Sequence, residues 1–253
     1  MIILKGVTKS YGSTTVLKDI TLRLDPGELV CITGKSGAGK STLLHLLTGA
    51  EAVTKGSIEV DGVDLRAVPT PVMQLYRRRI GIVFQDYKLI GNLSVSENIA
   101  FPLQICGVAD AEIDRRVTAL LKDLDLSRHA RSLPTGLSGG EKARTAIARA
   151  IIGKPIILLA DEPTGNLDHD ASKNILEIFQ RIHKQGTTVI VATHDAHLVE
   201  ALHARRIHIE DGRIVSDTKH AGGHGKERHV LEVKNVEEPS GGKKKVKVTA
   251  IGG

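Results

Sequence analysis

Aromatic side chains are scarce in this sequence of 253 residues, which has no tryptophan, three tyrosines and three phenylalanines. Proteins that bind single-stranded nucleic acids without sequence preference stack the bases on such rings. The shortage therefore argues against that class of protein, and no nucleic-acid partner is expected.

Cysteine is also rare, and long apolar runs are missing. Cys31 and Cys106 lie far apart in apolar surroundings, without the spacing of a disulfide framework or a metal site, so both are predicted to be reduced core thiols. No apolar run approaches the ~18–20 residues of a transmembrane helix. The first ten residues are typical of a strand and not of a signal peptide. Any role at a membrane is therefore expected to come through a partner.

The formal net charge of +6 is concentrated near the C-terminus. Residues 219–253 contain eight Lys or Arg and four Glu, which gives this stretch a net charge of +4. Gly, His and Lys dominate it, a composition that predicts disorder. The stretch is either a solvated end or a contact for anionic lipid. We therefore predict one folded domain over residues 1–218 and a flexible basic tail over residues 219–253.

Strands alternate with helices along the folded part. Short strands fill the first sixty residues, residues 87–155 are predicted to form a helical subdomain with Asp110 as an N-cap, and Asp211-Gly212 predicts a hairpin turn. Gly186 is expected to stop a helix. The alternation predicts an α/β fold with a mostly parallel core sheet, which binds ligands at the carboxyl ends of its strands. Buried strands are expected at residues 29–33, 156–160 and 187–193, and helices at 41–50, from 139 onward and around 175–182.

A glycine-rich loop follows the first of these buried strands. Gly34-Lys35-Ser36-Gly37-Ala38-Gly39-Lys40-Ser41 matches the phosphate-loop pattern in the strand–loop–helix context that the pattern requires, and we include Thr42 among the nucleotide contacts. Glycines let consecutive N–H groups face phosphates, and the helix N-terminus adds partial positive charge. Lys40 is expected to reach the β- and γ-phosphates, and Ser41 to bind Mg²⁺.

Two adjacent carboxylates end the apolar run at residues 156–160. Asp161 is delivered to the edge of the sheet, where it can hold Mg²⁺ directly or through water. Glu162 is placed to orient and deprotonate an attacking water. Alone, such a pair is more often a solvated turn; together with the phosphate loop it predicts a catalytic site.

A serine and two glycines open the helix that begins at Gly139. Ser138, Gly139 and Gly140 would form a second anion-binding helix N-terminus, the structural alternative being a serine cap followed by flexible glycines. One chain does not need two such sites for one nucleotide. The second anion site is explained if it binds the nucleotide of a neighbouring copy of the chain. Small-molecule kinases and GTPases, which also use phosphate loops, do not require such a site.

These motifs, in this order, resemble the ATP-binding-cassette (ABC) family over roughly residues 1–216. The resemblance implies a P-loop NTPase fold with an antiparallel β subdomain and an α-helical subdomain, and a head-to-tail dimer that closes on Mg-ATP. It also implies that Tyr11 stacks on adenine and that Gln85 senses Mg²⁺ and the attacking water. Asp168 would line the dimer seam, and His194 would contact the γ-phosphate.

Each motif occurs once, so two ATP sites require two copies and a two-fold homodimer. DNA-acting relatives insert long coiled coils that this chain lacks. The segments 77–86, 93–102 and 163–168 are similar to those of the cell-division members of the family. That similarity implies a peripheral ATPase at the cytoplasmic face of the membrane, bound to an integral, permease-like subunit (FtsX-like) and to cytoplasmic division proteins. Lipoprotein release, macrolide-type export and a nucleotide-gated division scaffold remain the alternatives.

Overall fold

The computed structural model describes residues 1–218, so the predicted basic tail lies outside the described residues. The predicted boundary at 218 stays a prediction. The strands and helices, in chain order, are β1 (Ile2–Tyr11), β2 (Thr14–Leu24), β3 (Leu29–Thr33), α1 (Lys40–Leu47), β4 (Lys55–Val60), β5 (Val63–Asp64), α2 (Thr70–Arg77), β6 (Ile80–Val83), α3 (Val95–Ile105), α4 (Asp110–Asp123), α5 (Gly139–Ile151), β7 (Ile157–Asp161), α6 (His169–Lys184), β8 (Thr188–Thr193), α7 (Ala196–Leu202), β9 (Arg205–Glu210) and β10 (Arg213–Thr218).

Two sheets organise these elements. The core sheet has the strand order β10-β9-β3-β8-β7-β6, and every neighbouring pair except β10 with β9 is parallel. The second sheet, β2-β1-β4-β5, is antiparallel throughout. The predicted fold class, a mostly parallel core sheet with an antiparallel β subdomain and helices, is confirmed. The first strands are longer than expected, since β1 has 10 residues and β2 has 11.

The central strands are buried on both faces, and alternate residues face different layers. On β8, Val189 and Val191 belong to a core shared with α3–α6, whereas Ile190 and Ala192 belong to a core shared with α1 and the antiparallel sheet. All six residues of β8 are buried. A strand that is buried on both faces has apolar residues at successive positions, which is why β7 and β8 could be predicted from the sequence.

The helices agree with the apolar periodicity, but two details were predicted wrongly. Helix α5 begins at Gly139, and Gly186 follows α6 in a left-handed conformation, both as expected. The N-cap of α4 is Ala109, so Asp110 is the first helical residue, where its charge still favours the positive end of the helix. The first helix of this region begins at Val95, since residues 87–94 form turns and irregular backbone.

The two cysteines differ in environment. Cys31 is fully buried in β3, and burial raises the pKa of its thiol to about 12, so it stays protonated. Cys106 caps the C-terminus of α3 and is only partly buried. The prediction of two core thiols is therefore right for Cys31 and wrong for Cys106, because a helix end at the surface leaves a side chain half covered.

Two Asp-Gly hairpin turns provide a test of close backbone packing. Gly62 (φ +82) has open space around it, whereas a Cβ on Gly212 (φ +77) would lie 2.2 Å from the Val16 carbonyl oxygen of β2. The backbone N–H of Lys18 donates to the Gly212 carbonyl at 2.7 Å, so this turn joins the two sheets. We expect Gly62→Ala to lower the free energy of unfolding by about 1 kcal/mol, from the left-handed backbone alone.

Gly212→Ala should lower the free energy of unfolding by roughly 3 kcal/mol or more, because the same backbone penalty is joined by a clash with an immobile carbonyl. Urea unfolding of both variants measures the difference. Equal losses would show that the approach between the Gly212 turn and β2 does not constrain the fold.

Candidate functional site

Four of the predicted site elements follow four neighbouring strands of the core sheet. The glycine-rich loop follows β3, Glu162 follows β7, His194 follows β8, and Gln85 lies just beyond β6. These strands are parallel neighbours in the order β3-β8-β7-β6, so their carboxyl ends share one edge of the sheet. The topology therefore brings residues from distant parts of the sequence to a single edge.

The glycine-rich loop leads directly into α1. Gly34, Gly37 and Gly39 all have positive φ, and Gly39 occupies the N-cap position of α1 at φ +104 without any side-chain cap. Within residues 1–218 the N-cap supplies no side-chain acceptor to the first N–H groups of α1, and a helix N-terminus attracts anions. This arrangement fits the phosphate groups of a nucleotide.

Lys40 lies at the centre of this edge and is 6% exposed. Its Nζ donates to the carbonyl oxygens of Gly34 at 2.9 Å and Lys35 at 3.2 Å, and lies 3.3 Å from Oε1 of Glu162. The ammonium thus bridges the phosphate loop and the carboxylate that follows β7. Sequence patterns did not predict this ion pair, because Lys40 and Glu162 lie far apart in the chain.

Glu162 is buried and held on several sides. Its Oε1 lies 2.9 Å from Nδ1 of His194, and its Oε2 accepts the backbone N–H of His194 at 3.3 Å. The backbone of Glu162 has φ +44. A residue with a Cβ is uncommon in this region, and such conformations cluster where the surrounding structure fixes a functional group. The carboxylate is therefore oriented before any substrate arrives.

Asp161 and Ser41 together offer oxygen atoms suited to a hard cation. Asp161 is 9% exposed and its Oδ1 is buried without a hydrogen-bond partner among the described residues. Burial raises the pKa of Asp161, and a hydrogen bond from the Ser41 side chain acts against that rise. A buried carboxylate oxygen without a partner and a neighbouring hydroxyl fit Mg²⁺, which binds through one or two carboxylates and the phosphates of its nucleotide.

Asp161→Asn should raise the free energy of unfolding at neutral pH by on the order of 1 kcal/mol, since it removes a charge from a site that disfavours charge. Because the folded-state pKa of Asp161 is raised, its destabilising effect is complete above that pKa and absent below the unfolded pKa. The gain should therefore shrink as the pH falls. Urea titrations at several pH values measure it, with the exposed Asp123→Asn, expected within about 0.5 kcal/mol, as the control.

The second predicted anion site is built at the start of α5. Ser138 is the N-cap: its Oγ accepts the backbone N–H of Glu141, and Glu141 in turn accepts the backbone N–H of Ser138 at 2.9 Å. The Glu141 side chain is also 2.9 Å from Nε2 of His129. The capping box orders this loop, so the cap and the anion-binding interpretation are compatible.

The start of α5 packs against the segment that contains Asp168. A Cβ on Gly139 would lie 3.3 Å from the Asn166 carbonyl oxygen, and one on Gly140 would lie 3.3 Å from Cβ of Ala171. Asp168 caps α6 by accepting the Ala171 N–H at 2.8 Å. Two of the predicted seam elements are therefore neighbours within one chain.

Tyr11 lies at the end of β1 with 44% of its surface exposed. Its hydroxyl hydrogen-bonds to Glu51, and Nζ of Lys9 lies 4.7 Å from the ring centroid. The pKa of Tyr11 is raised by burial and by Glu51, and a hydrogen bond with Thr42 acts against both. An exposed ring is thus held beside the residue that follows Ser41. Lys9 and Glu51 were not predicted, because neither belongs to a recognisable motif.

Comparison with known proteins decides the family. The family model described as "ABC transporter" matches residues 17–165. The chain is 45% identical over 215 residues to the cell division ATP-binding protein FtsE of Streptococcus pneumoniae serotype 2, covering 85% of this chain and 94% of that protein. The chain belongs to the ABC transporter family. It is an ATPase of the ABC type.

Further relatives of this ABC ATPase are also cell division ATP-binding proteins FtsE. The FtsE protein of Mycobacterium tuberculosis is 43% identical over 219 residues, covering 86% of this chain and 95% of that protein. The FtsE protein of Escherichia coli K12 is 42% identical over 221 residues, covering 87% of this chain and all of that protein.

A solved structure shares the fold of this ABC ATPase. The ATP-binding cassette MJ0796, in a dimeric post-hydrolysis state bound to ADP and Pi, superposes with a TM-score of 0.81 at 35% identity. The alignment covers 88% of this chain and all of the neighbour. Within residues 1–218, this ABC ATPase has no helix both long and apolar enough to span a bilayer.

Proposed function

We propose that the chain is the ATP-hydrolysing subunit of a membrane complex of the cell-division type. The observation that carries the proposal is the identity of 42–45% with FtsE proteins over 85–87% of the chain. It is joined to the buried Lys40–Glu162 pair, whose carboxylate also contacts the exposed His194. The chain would lie peripherally at the cytoplasmic face of the membrane. Its partner would be an FtsX-like membrane subunit that regulates cell-wall hydrolysis.

Lys40 and the loop would bind the phosphates of ATP. Loop residues 34–42 offer backbone N–H groups, and Lys40 offers a buried ammonium that is already directed along the loop by two carbonyl oxygens. Tyr11 would stack on the adenine. Ser41, Asp161 and Gln85 would hold Mg²⁺, which when bound neutralises phosphate charge and orients the terminal phosphate.

Glu162 would act as the general base. Its carboxylate, fixed through His194, would accept a proton from a water aligned with the terminal phosphate, while His194 contacts that phosphate. The transition state of phosphoryl transfer carries its charge on phosphate oxygens, so positioning and electrostatic stabilisation supply most of the catalysis. Lys40 and the N–H groups of α1 would supply that stabilisation.

Two copies would complete each site. Ser138, Gly139 and Gly140 of one copy would close on the terminal phosphate that Lys40 holds in the other, with Asp168 along the seam. The closed pair is favoured only when ATP supplies contacts to both chains, so ATP shifts the population toward closure. A membrane partner docked near residues 85–99 would be bent by that motion.

The test compares two variants in cells that depend on this chain for division. If turnover drives the membrane partner, both Lys40→Ala and Glu162→Gln should block division, and co-purification should recover a permease with four membrane spans. If only Lys40→Ala blocks division, the chain is a nucleotide-gated scaffold. Recovery of a lipoprotein-release or efflux permease in place of the division partner would overturn the division role and leave the ATPase assignment intact.

A further inference from the structure

The turn after Gln85 is held in an unfavourable backbone conformation. Tyr87 and Lys88 are adjacent, and both are left-handed, with φ values of +61 and +45. Residues that carry a Cβ rarely adopt this conformation, and two in succession are rarer still. The turn has only two short-range backbone bonds of its own, from Tyr87 N–H to Phe84 and from Lys88 N–H to Asp86. Other parts of the fold must therefore stabilise it.

Arg149 supplies that support. Its two terminal guanidinium nitrogens donate to the Tyr87 and Lys88 carbonyl oxygens, each at 2.7 Å. One planar guanidinium thus binds the carbonyls of both left-handed residues at once. Lysine cannot reproduce the arrangement, because its ammonium is a single point on a flexible stem.

Arg149 belongs to the same helix as the second anion site. Helix α5 begins at Gly139 and has 13 residues, so its first turn and Arg149 are joined by a rigid element about 20 Å long. The next residue, Ala150, abuts β6, where a Cβ on Gly81 would lie 2.4 Å from the Ala150 carbonyl oxygen. Because Gly81 lies on the strand that leads to Gln85, the far end of α5 contacts both the strand and the turn that flank Gln85.

The same turn also reaches the segment that follows Glu162. The Tyr87 side chain is 6% exposed, and its hydroxyl lies 3.5 Å from the Pro163 carbonyl oxygen, at the outer limit of a hydrogen bond. A shift of the turn would therefore disturb the residues immediately after the proposed general base as well as Gln85.

We infer that Arg149 is a positioning residue. It holds the turn at Tyr87 and Lys88, so that a movement of the Gly139 end of α5 relocates Gln85. The inference rests on the proposed function, in which Gln85 orients the attacking water and residues 138–140 close on ATP. In that function Arg149 would act through the carbonyl oxygens of the turn and not on the nucleotide. Its loss should lower turnover while leaving nucleotide binding nearly unchanged.

The experiment uses the full chain with Arg149→Ala, Arg149→Lys and the control Arg115→Ala. Arg115 is an exposed arginine on α4, and its one ion-pair partner in the described part of the chain is Glu112. Both Arg149 variants should lose about tenfold in kcat, with KM for ATP within twofold of the wild type. Amide hydrogen exchange of residues 85–89 should rise at least tenfold in both, and should not change in the control. The exchange measurement needs no hydrolysis, so it stands even if the wild-type chain alone turns over slowly.

A second substitution separates positioning from general stability. Lys88→Gly removes the Cβ that makes the left-handed conformation unfavourable. Among the residues that the structure describes, the Lys88 side chain pairs only with the exposed Asp86. Added to Arg149→Ala, it should recover kcat at least threefold. Unchanged exchange, a fall in kcat matched by the loss of folded protein, or no recovery would each overturn the inference. If the wild type does not hydrolyse ATP but Arg149→Ala still exchanges rapidly at residues 85–89, the proposed function is refuted and the role of Arg149 in holding the turn is not.

Discussion

Glu162→Gln should reduce ATP turnover by about 10³-fold, since a general base contributes roughly 10²–10⁴-fold to the rate. Glutamine has nearly the same volume, so this buried position keeps its packing while losing the group that accepts the proton. ATP should remain bound, and the chain should accumulate as a dimer in its presence. Steady-state hydrolysis and size-exclusion chromatography with and without ATP measure both effects.

The same substitution should strengthen ATP binding several-fold. In the structure Glu162 lies 3.3 Å from Nζ of Lys40, so the carboxylate and a terminal phosphate compete for one ammonium. A neutral side chain weakens that competition. The control is Glu177→Gln, which removes one exposed glutamate from α6 and should alter neither rate nor affinity. Normal hydrolysis by Glu162→Gln would refute the assignment of the base.

Mixing two inactive variants should restore hydrolysis at least tenfold above either variant alone. Lys40→Ala removes the phosphate-binding ammonium but keeps an intact start of α5. Gly139→Asp keeps Lys40 and places a carboxylate where the terminal phosphate of the other chain would bind. An acidic residue is favourable at a helix N-terminus, and its Cβ would meet Leu167 at 3.1 Å and the Asn166 carbonyl oxygen at 3.3 Å, which requires these neighbours to shift by a few tenths of an ångström. The variant should therefore fold while repelling the phosphate.

The recovery follows from the head-to-tail arrangement. In a mixed dimer, the Gly139→Asp chain contributes an intact phosphate loop and the Lys40→Ala chain an intact Ser138–Gly140, so one complete site forms. Lys40→Ala mixed with the double variant Lys40→Ala/Gly139→Asp can form no complete site and is the control. Activity equal to the average of the separate variants would show that residues 138–140 do not act across the dimer.

The elements that the sequence predicted well are those with strong local signals. The run at residues 156–160 is apolar because β7 is covered on both faces, and the helix from Gly139 combines a capping serine with an apolar stripe. Both signals are complete within about a dozen residues. The phosphate loop was predictable for the same reason, since its strand, glycines and helix are contiguous.

The features that the sequence missed depend on contacts between distant segments. The Lys40–Glu162 pair requires β3 and β7 to end at one edge of the sheet, which no local pattern encodes. The left-handed conformation of Tyr87 is stabilised by a hydrogen bond from Arg149 of α5, so the residues adjacent to Tyr87 in the sequence do not predict it. The cap of α4 was placed one residue late, because apolar spacing fixes the face of a helix more firmly than its first residue.

Neighbouring residues of β8 pack into two different cores, so substitutions at adjacent positions of this strand affect different parts of the protein. A substitution at Val191 alters the packing of the helices that would meet a membrane partner. A substitution at Ile190 alters the packing of the layer around α1 and the phosphate loop. Selection can therefore change the residues on one face of β8 to suit a new partner, while the residues on the opposite face continue to support nucleotide binding. Among such cassettes, odd-numbered and even-numbered positions of β8 should accordingly differ in how far their sequences diverge.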